Sequence, residues 1–259
     1  MLTFGSLFSG IGGIDLGLER AGMTCVWQSE IEPYACRVLA KHWPAIPNLG
    51  DIREIDWSTV PRTDVVAGGY PCQPFSLIGR RRGEHDPRHL WPMFADCIRM
   101  VRPRYAVLEN VAGHLTLGFG DVQADLAAIG YDTEWDCIPA AAVGAPHHRD
   151  RVFIIATRRD LVDPDSDDGR TSVGTTETGR QRHCENGSQR ESLVGRFSER
   201  GALAHRRSLH TYWSTQPDVG RVADGIPYRM DRLRGLGNAV VPQVAEHIGR
   251  IIISMEETE

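Results

Sequence analysis

Lysine is nearly missing from this sequence: Lys41 stands alone against 28 arginines. Arginine's planar fork suits bidentate contacts to phosphates, carboxylates and guanine edges better than lysine's point charge. A GC-rich codon bias would leave the same skew. Long apolar runs are missing too. Clean stretches such as Val152-Phe153-Ile154-Ile155-Ala156 fall far short of the roughly 20 residues a membrane span needs. The opening Met1-Leu2-Thr3-Phe4-Gly5 has no basic region followed by an apolar one, so no signal peptide is expected. The six cysteines (Cys25, Cys36, Cys72, Cys97, Cys137, Cys184) form no C-x-x-C pair, which argues against a zinc site or a disulfide framework. These absences lead to the expectation of a soluble, cytoplasmic globular protein with no membrane partner and no metal. What is present is 259 residues, 41% apolar and 24% charged, enough for one sizeable core with a small appended region. The net charge of −5 counts, at first sight, against a nucleic-acid partner.

Strand and helix patterns alternate through the first half. A strand over residues 3 to 8 leads into the turn Ser9-Gly10-Ile11-Gly12-Gly13 and a helix to about Arg20, stopped by Gly22. Thr24 to Ser29 reads as a strand, and Pro33 opens a helix that ends near His42. Further strands are expected at Asp64 to Ala67, Tyr105 to Leu108 and Arg151 to Thr157. Helices are expected at Trp91 to Val101 and Asp121 to Ile129, the latter closed by Gly130. Short connections between alternating elements predict an α/β domain with a mostly parallel sheet. The pattern stops at Arg158. Residues 160 to 201 are polar and poor in large apolar side chains, as in a long loop or a weakly cored subdomain. After Gly237-Asn238, Val240, Val241, Val244, Ala245, Ile248, Ile251 and Ile252 fall on helical spacing.

Several segments carry chemistry. The turn Phe8 to Gly13 lies between a strand and a helix, where backbone amides can approach a ligand. It is not the dinucleotide fingerprint, because Asp15 stands where the third glycine would be. Glu30 ends the next strand, where a carboxylate could bind both hydroxyls of a ribose, and Asp51 of Gly50-Asp51-Ile52 is a candidate for the same pocket. In Gly69-Tyr70-Pro71-Cys72-Gln73-Pro74, a cysteine held between two prolines follows a strand's C-terminal end, where open sheets place ligands. A buried residue before a flexible loop is the more usual fate of a lone cysteine. The residues after it, with Arg80-Arg81-Arg82 and Gly79 and Gly83, fit a basic lid. Glu109 of Glu109-Asn110-Val111 can project into the same crevice as an acid. Period-two alternation places Arg149 and Arg151 on one side of an entering strand, as clamps or as a salt-bridged edge.

In this order, the segments resemble the DNA cytosine-5 methyltransferase family. The resemblance spans about residues 1 to 158 and 229 to 254, and the Pro-Cys-Gln with a later Glu-Asn-Val is its specific part. It implies a Rossmann-like S-adenosylmethionine-dependent methyltransferase fold with a mostly parallel sheet and a small irregular target-recognition region. Residues 1–158 with 229–259 would form the catalytic domain, and 159–228 the variable region. It further implies S-adenosylmethionine as donor and a cytosine flipped out of double-stranded DNA as acceptor. Cys72, preceded by Pro71, would attack C6. Glu109, followed by Asn110, would stabilise the N3-protonated adduct, Arg151 would hold O2, and Arg149 would support the site. Phe8, Gly10 and Gly12 would flank the donor, and Glu30 would bind its ribose. Asp51 and Ile52 would hold its adenine, with Leu90, Asn238 and Ala239 as further contacts. A monomer is expected, with a restriction endonuclease as functional partner.

Some features depart from the family. His147 stands where the family commonly has Gln. The supporting arginine of the target-recognition region has two candidates, Arg221 and Arg232. A variable region this short implies a short or relaxed target sequence. A catalytically silent DNA- or cofactor-binding homologue and an RNA cytosine-5 methyltransferase remain as alternatives, whereas an NAD-type oxidoreductase fails on the glycine pattern. The negative charge is concentrated in two places. Five aspartates between Asp160 and Asp168, with Glu256, Glu257 and Glu259, hold eight negative charges, and without them the rest of the chain is +3. Eight arginines lie between Arg170 and Arg207, in the variable region where DNA would lie.

Overall fold

A computed structural model describes residues 1–71, 90–116, 118–161 and 227–257. The elements, in chain order, are β1 (Thr3–Leu7), α1 (Gly13–Ala21), β2 (Thr24–Ser29), α2 (Pro33–His42), β3 (Val65–Gly69) and α3 (Trp91–Val101). They continue with β4 (Tyr105–Val111), α4 (Phe119–Ala128), β5 (Tyr131–Pro139), β6 (Asp150–Arg158), α5 (Arg229–Asn238) and α6 (Pro242–Glu256). The strands form one sheet in the order β2-β1-β3-β4-β6-β5. β2, β1, β3 and β4 pair in parallel, while β6 runs against both β4 and β5. The fold is therefore α/β with a mostly parallel sheet.

The sheet is covered on both faces. On one side Ile14 and Leu18 of α1 and Val244, Ile248 and Ile252 of α6 pack against Phe4, Val65 and Val107. On the other, Phe94 and Ile98 of α3 and Leu126 of α4 meet Leu7, Val66 and Leu108. Strands buried on both faces read as continuous apolar runs, which is why β3 has the short Val65-Val66-Ala67 signature. From β1 the chain moves to β2 on one side and then returns to β3 on the other. Such a switch point leaves a crevice at the C-terminal ends of β1 and β3.

Two elements escape the sequence pattern. β5 is an edge strand whose Asp132, Glu134 and Asp136 interrupt any apolar run and whose Trp135 is exposed. α5 buries none of its side chains, so no apolar period marks it. β4 also runs three residues past the expected Leu108, which carries Glu109 inside the sheet between Gly69 and Phe153 and sets Asn110 opposite Val152.

α6 reaches the first helix by close backbone approach. A Cβ on Gly17 would lie 2.4 Å from the Pro242 carbonyl oxygen and 2.5 Å from the Ala245 Cβ. One on Gly13 would lie 2.4 Å from the Val240 carbonyl oxygen. In an exposed helix alanine would gain about 1 kcal/mol over glycine, but here the added methyl meets backbone that cannot swing aside. Overpacking of this kind costs about 1–3 kcal/mol. Gly17→Ala is therefore expected to lower stability by a net of up to about 2 kcal/mol in urea unfolding. An unchanged or higher midpoint would show that the two helices can separate freely.

Candidate functional site

A cavity of about 630 Å³ occupies the crevice at the C-terminal ends of the parallel strands. Its first wall is the turn after β1. Phe8 takes a left-handed backbone conformation, φ 53°, which turns its ring toward Phe94 at 6.2 Å between centroids. The Gly10 amide donates to Glu30 Oε2 at 2.8 Å, and Glu30 Oε1 accepts from the amides of Ile31 (2.8 Å) and Glu32 (2.7 Å). Three amides thus fix the carboxylate and take three of its roughly four acceptor positions. Glu30 can accept one hydroxyl without displacing an amide, whereas the sequence reading had it binding two.

Asp51 and Ile52 line the cavity beyond Glu30. Asp51 is held by Arg53, with Nε 2.9 Å from Oδ1 and Nη2 2.5 Å from Oδ2, and this guanidinium keeps its carboxyl below the usual range. Leu90, at the start of α3, adds an apolar surface, and Asn238 and Ala239 close the cavity from the C-terminal segment. Gly12 does not join them. It faces Trp43 and lines a neighbouring cavity of about 700 Å³, together with His147.

The catalytic candidates converge on the other end of the same cavity. Pro71, Glu109, Asn110 and Arg151 all line it. Cys72 follows Pro71 in the chain and lies outside the described residues, as do the basic lid segment, Arg221 and most of the variable region. Glu109 is only 9% exposed and lies against β3, where a Cβ on Gly69 would be 2.5 Å from its Oε2. Its Oε1 pairs with Arg151 Nε at 2.9 Å. Burial pushes the Glu109 carboxyl above its ordinary range despite the charges of Arg151 and Arg149. Asn110 has a structural partner on each side: its Nδ2 donates to the Tyr70 carbonyl (3.4 Å), and its Oδ1 accepts from the Val111 amide (2.9 Å).

Arg149 departs from expectation. β6 begins at Asp150, and Arg149 precedes it with φ 38°, so period-two alternation does not pair it with Arg151. Its guanidinium instead donates to the carbonyl oxygens of Gly237 (2.6 Å) and Ala239 (2.8 Å). It clamps the C-terminal segment that closes the cavity and does not line the cavity itself. Arg232, the second candidate for a supporting arginine, lies exposed on α5.

Other residues at the site carry no sequence signal. Asp231 and Arg234 line the cavity from α5. Beneath it, the Tyr70 hydroxyl and His114 Nε2 are 2.7 Å apart in a buried aromatic cluster with Trp91 and Phe94. Asp15, read from the sequence only as a mismatch to a glycine fingerprint, is fully buried in hydrogen bonds to Gln28 and Ser6. A polar residue in a helix's first turn ordinarily faces solvent, so nothing in the sequence marks it.

A family model for C-5 cytosine-specific DNA methylase matches residues 2–215. The chain is 39% identical over 173 residues to the type II methyltransferase M.HgiCII of Herpetosiphon aurantiacus, a match covering 62% of this chain and 38% of that protein. It is 36% identical over 165 residues to the type II methyltransferase M.BsuFI of Bacillus subtilis, covering 62% and 40%. The chain thus spans about two fifths of the length of these relatives. The solved structure of the S. pombe Dnmt2 methyltransferase superposes with a TM-score of 0.61 over 98% of this chain and 99% of that one, at 17% identity, a likeness of fold.

The Glu109–Arg151 pair has a titration consequence. A carboxyl whose folded pKa lies above its unfolded value binds its proton more tightly when folded. Its contribution to stability is therefore full below about 4.5 and is lost as pH rises through the folded pKa. Arg151→Met removes the cation and leaves the burial, so the Glu109 pKa should rise further, as read by carboxyl-carbon NMR titration. A fall, or no change, would show that Arg151 does not set the charge of Glu109.

Proposed function

The chain belongs to the C-5 cytosine-specific DNA methylase family, and from that premise we propose that it methylates C5 of a cytosine flipped out of double-stranded DNA, with S-adenosylmethionine as donor. The observation that carries this reading is the meeting, in one cavity, of a nucleoside-type wall and a buried acid–arginine pair.

The donor fits the residues present. Glu30 offers an acceptor to a ribose hydroxyl, Phe8, Ile52 and Leu90 offer apolar surface, and the cavity volume lies in the small-ligand range of roughly 300–1,000 Å³. Bound there, S-adenosylmethionine supplies an electrophilic methyl group. The chain's own residues must make C5 nucleophilic. Attack of the Cys72 thiolate on C6 forms a covalent bond and shifts electron density toward C5. Glu109, kept protonated more readily by its burial, donates to N3 and reads the exocyclic amine, while the Arg151 guanidinium holds O2. Once C5 carries the methyl group, its proton passes to water, the C6–S bond breaks to release the Cys72 thiolate, and N3 returns its proton to Glu109. Extruding the base costs a few kcal/mol of unstacking, which contacts in the cavity must offset.

The names of the type II relatives support a restriction–modification setting, with an endonuclease as functional partner. Among the described residues no helix is long and apolar enough to cross a membrane.

Base-resolution methylation sequencing of DNA from cells expressing the chain tests the proposal. The chain should place 5-methylcytosine in one short sequence context, and Cys72→Ser should place none. Glu109→Gln should lower the rate about a hundredfold or more. If the unaltered chain leaves no 5-methylcytosine yet binds S-adenosylmethionine when purified, it is a silent homologue.

A further inference from the structure

We infer that Asp15 is a positioning residue whose carboxylate ties together the segments forming the donor side of the cavity. The inference rests on reading that side as the S-adenosylmethionine site. Asp15 lies in the first turn of α1 and accepts two hydrogen bonds from different strands. Gln28 Nε2 of β2 donates to Oδ1 at 2.7 Å, and Ser6 Oγ of β1 donates to Oδ2 at 3.1 Å.

Each bond begins a branch that ends at a cavity wall. Through Ser6, the first branch continues to Ser9, whose Oγ lies 2.9 Å from Ser6 Oγ and 3.1 Å from the Ser6 carbonyl oxygen. Ser9 sits between Phe8 and Gly10 in the turn that lines the cavity. Through Gln28, the second branch passes to the loop that bears Asp51. The Gln28 amide donates to the Pro47 carbonyl (2.9 Å), and the Gln28 carbonyl accepts from the Leu49 amide (2.7 Å). Next to it, Ser29 Oγ donates to the Gly50 carbonyl at 2.7 Å. Both branches reach Asp15 as donors. A carboxylate can accept both, whereas an apolar side chain would strand two buried donors.

The position is an expensive one for a charge. Burial raises the Asp15 carboxyl to about 6, and Glu19, one turn along α1, raises it further. Cys25 of β2, itself pushed up in part by Asp15, offers no cation. On the flank where α6 packs, Glu246 is paired with Arg250. The groups hydrogen-bonded to Asp15 are neutral. Its contribution to stability is therefore full below about 3.8 and lost as pH rises through about 6.

Two variants break the junction from opposite ends, Asp15→Ala and Gln28→Met. Each should raise KM for S-adenosylmethionine about tenfold, leaving kcat at saturating donor and KM for DNA within about twofold. Asp15→Asn should return KM to within about twofold of the unaltered chain. Its Oδ1 still accepts from Gln28, and its amide can donate to Ser6 if the Ser6–Ser9 bond reverses. Hydrogen exchange gives a reading without donor: the amides of Gly10, Leu49 and Gly50 should exchange faster in Asp15→Ala and Gln28→Met, with β4 unaltered. A lower kcat at unchanged KM, or unaltered exchange at those three amides, would overturn the inference. An unaltered chain that binds no S-adenosylmethionine would overturn the proposed function instead, and the exchange contrast would then decide the tie by itself.

Discussion

The geometry of the cavity depends on a contact between two backbones. Gly13 and Gly17 present no side chain to the segment Val240–Glu246, so the last helix lies directly on the first. That approach helps to set Asn238 and Ala239 opposite the turn after β1, since α5 has no buried side chain of its own. Arg149 adds the second fastening by holding the Gly237 and Ala239 carbonyls. The N-terminal and C-terminal ends of the described chain therefore meet at one place, and the cavity's two walls come from residues more than 200 positions apart in the sequence.

Two buried acids sit on either side of this arrangement and are handled differently. Glu109 has a guanidinium within 2.9 Å, so its burial and its partner act against one another. Asp15 has neutral donors alone, and its carboxyl is raised without a compensating charge. Under the proposed function and the inferred role of Asp15, the difference follows from their tasks. An acid that gives up and regains a proton needs a partner able to adjust to both states. One that organises backbone needs acceptors pointing in two directions, which a carboxylate provides whatever the cost of its charge.

Much of the fold was legible because punctuation residues coincide with real ends. Pro33 opens α2 at its first position, Gly22 stops α1, and β2, α2 and α3 have the bounds the pattern gave. Parts of the site were legible from local sequence: Glu30 directly follows β2, and it shares the cavity with Asp51, Glu109 and Arg151, although Glu109 lies within β4 and not at its end. What was hidden had a physical reason in each case. β5 and α5 lack a buried stripe, so periodicity had nothing to report. Arg149 was placed by an alternation rule that its left-handed backbone breaks. Asp15 was hidden because a sequence shows which residues are polar and not which polar residues have found partners.

The paired arginines show how far spacing alone can mislead about function. Arg149 and Arg151 are two residues apart, and both are guanidinium groups near Glu109, yet they serve different neighbours. Arg151 lies in the strand, reaches the carboxylate and lines the cavity. Arg149 lies just before the strand, and its positive φ turns it toward carbonyl oxygens of the C-terminal segment. Two carbonyls a short distance apart suit a planar fork with several fixed donors and not a single ammonium. The near absence of lysine, ambiguous as composition, thus acquires a local meaning here: at this joint the chain needs the geometry of arginine as well as its charge.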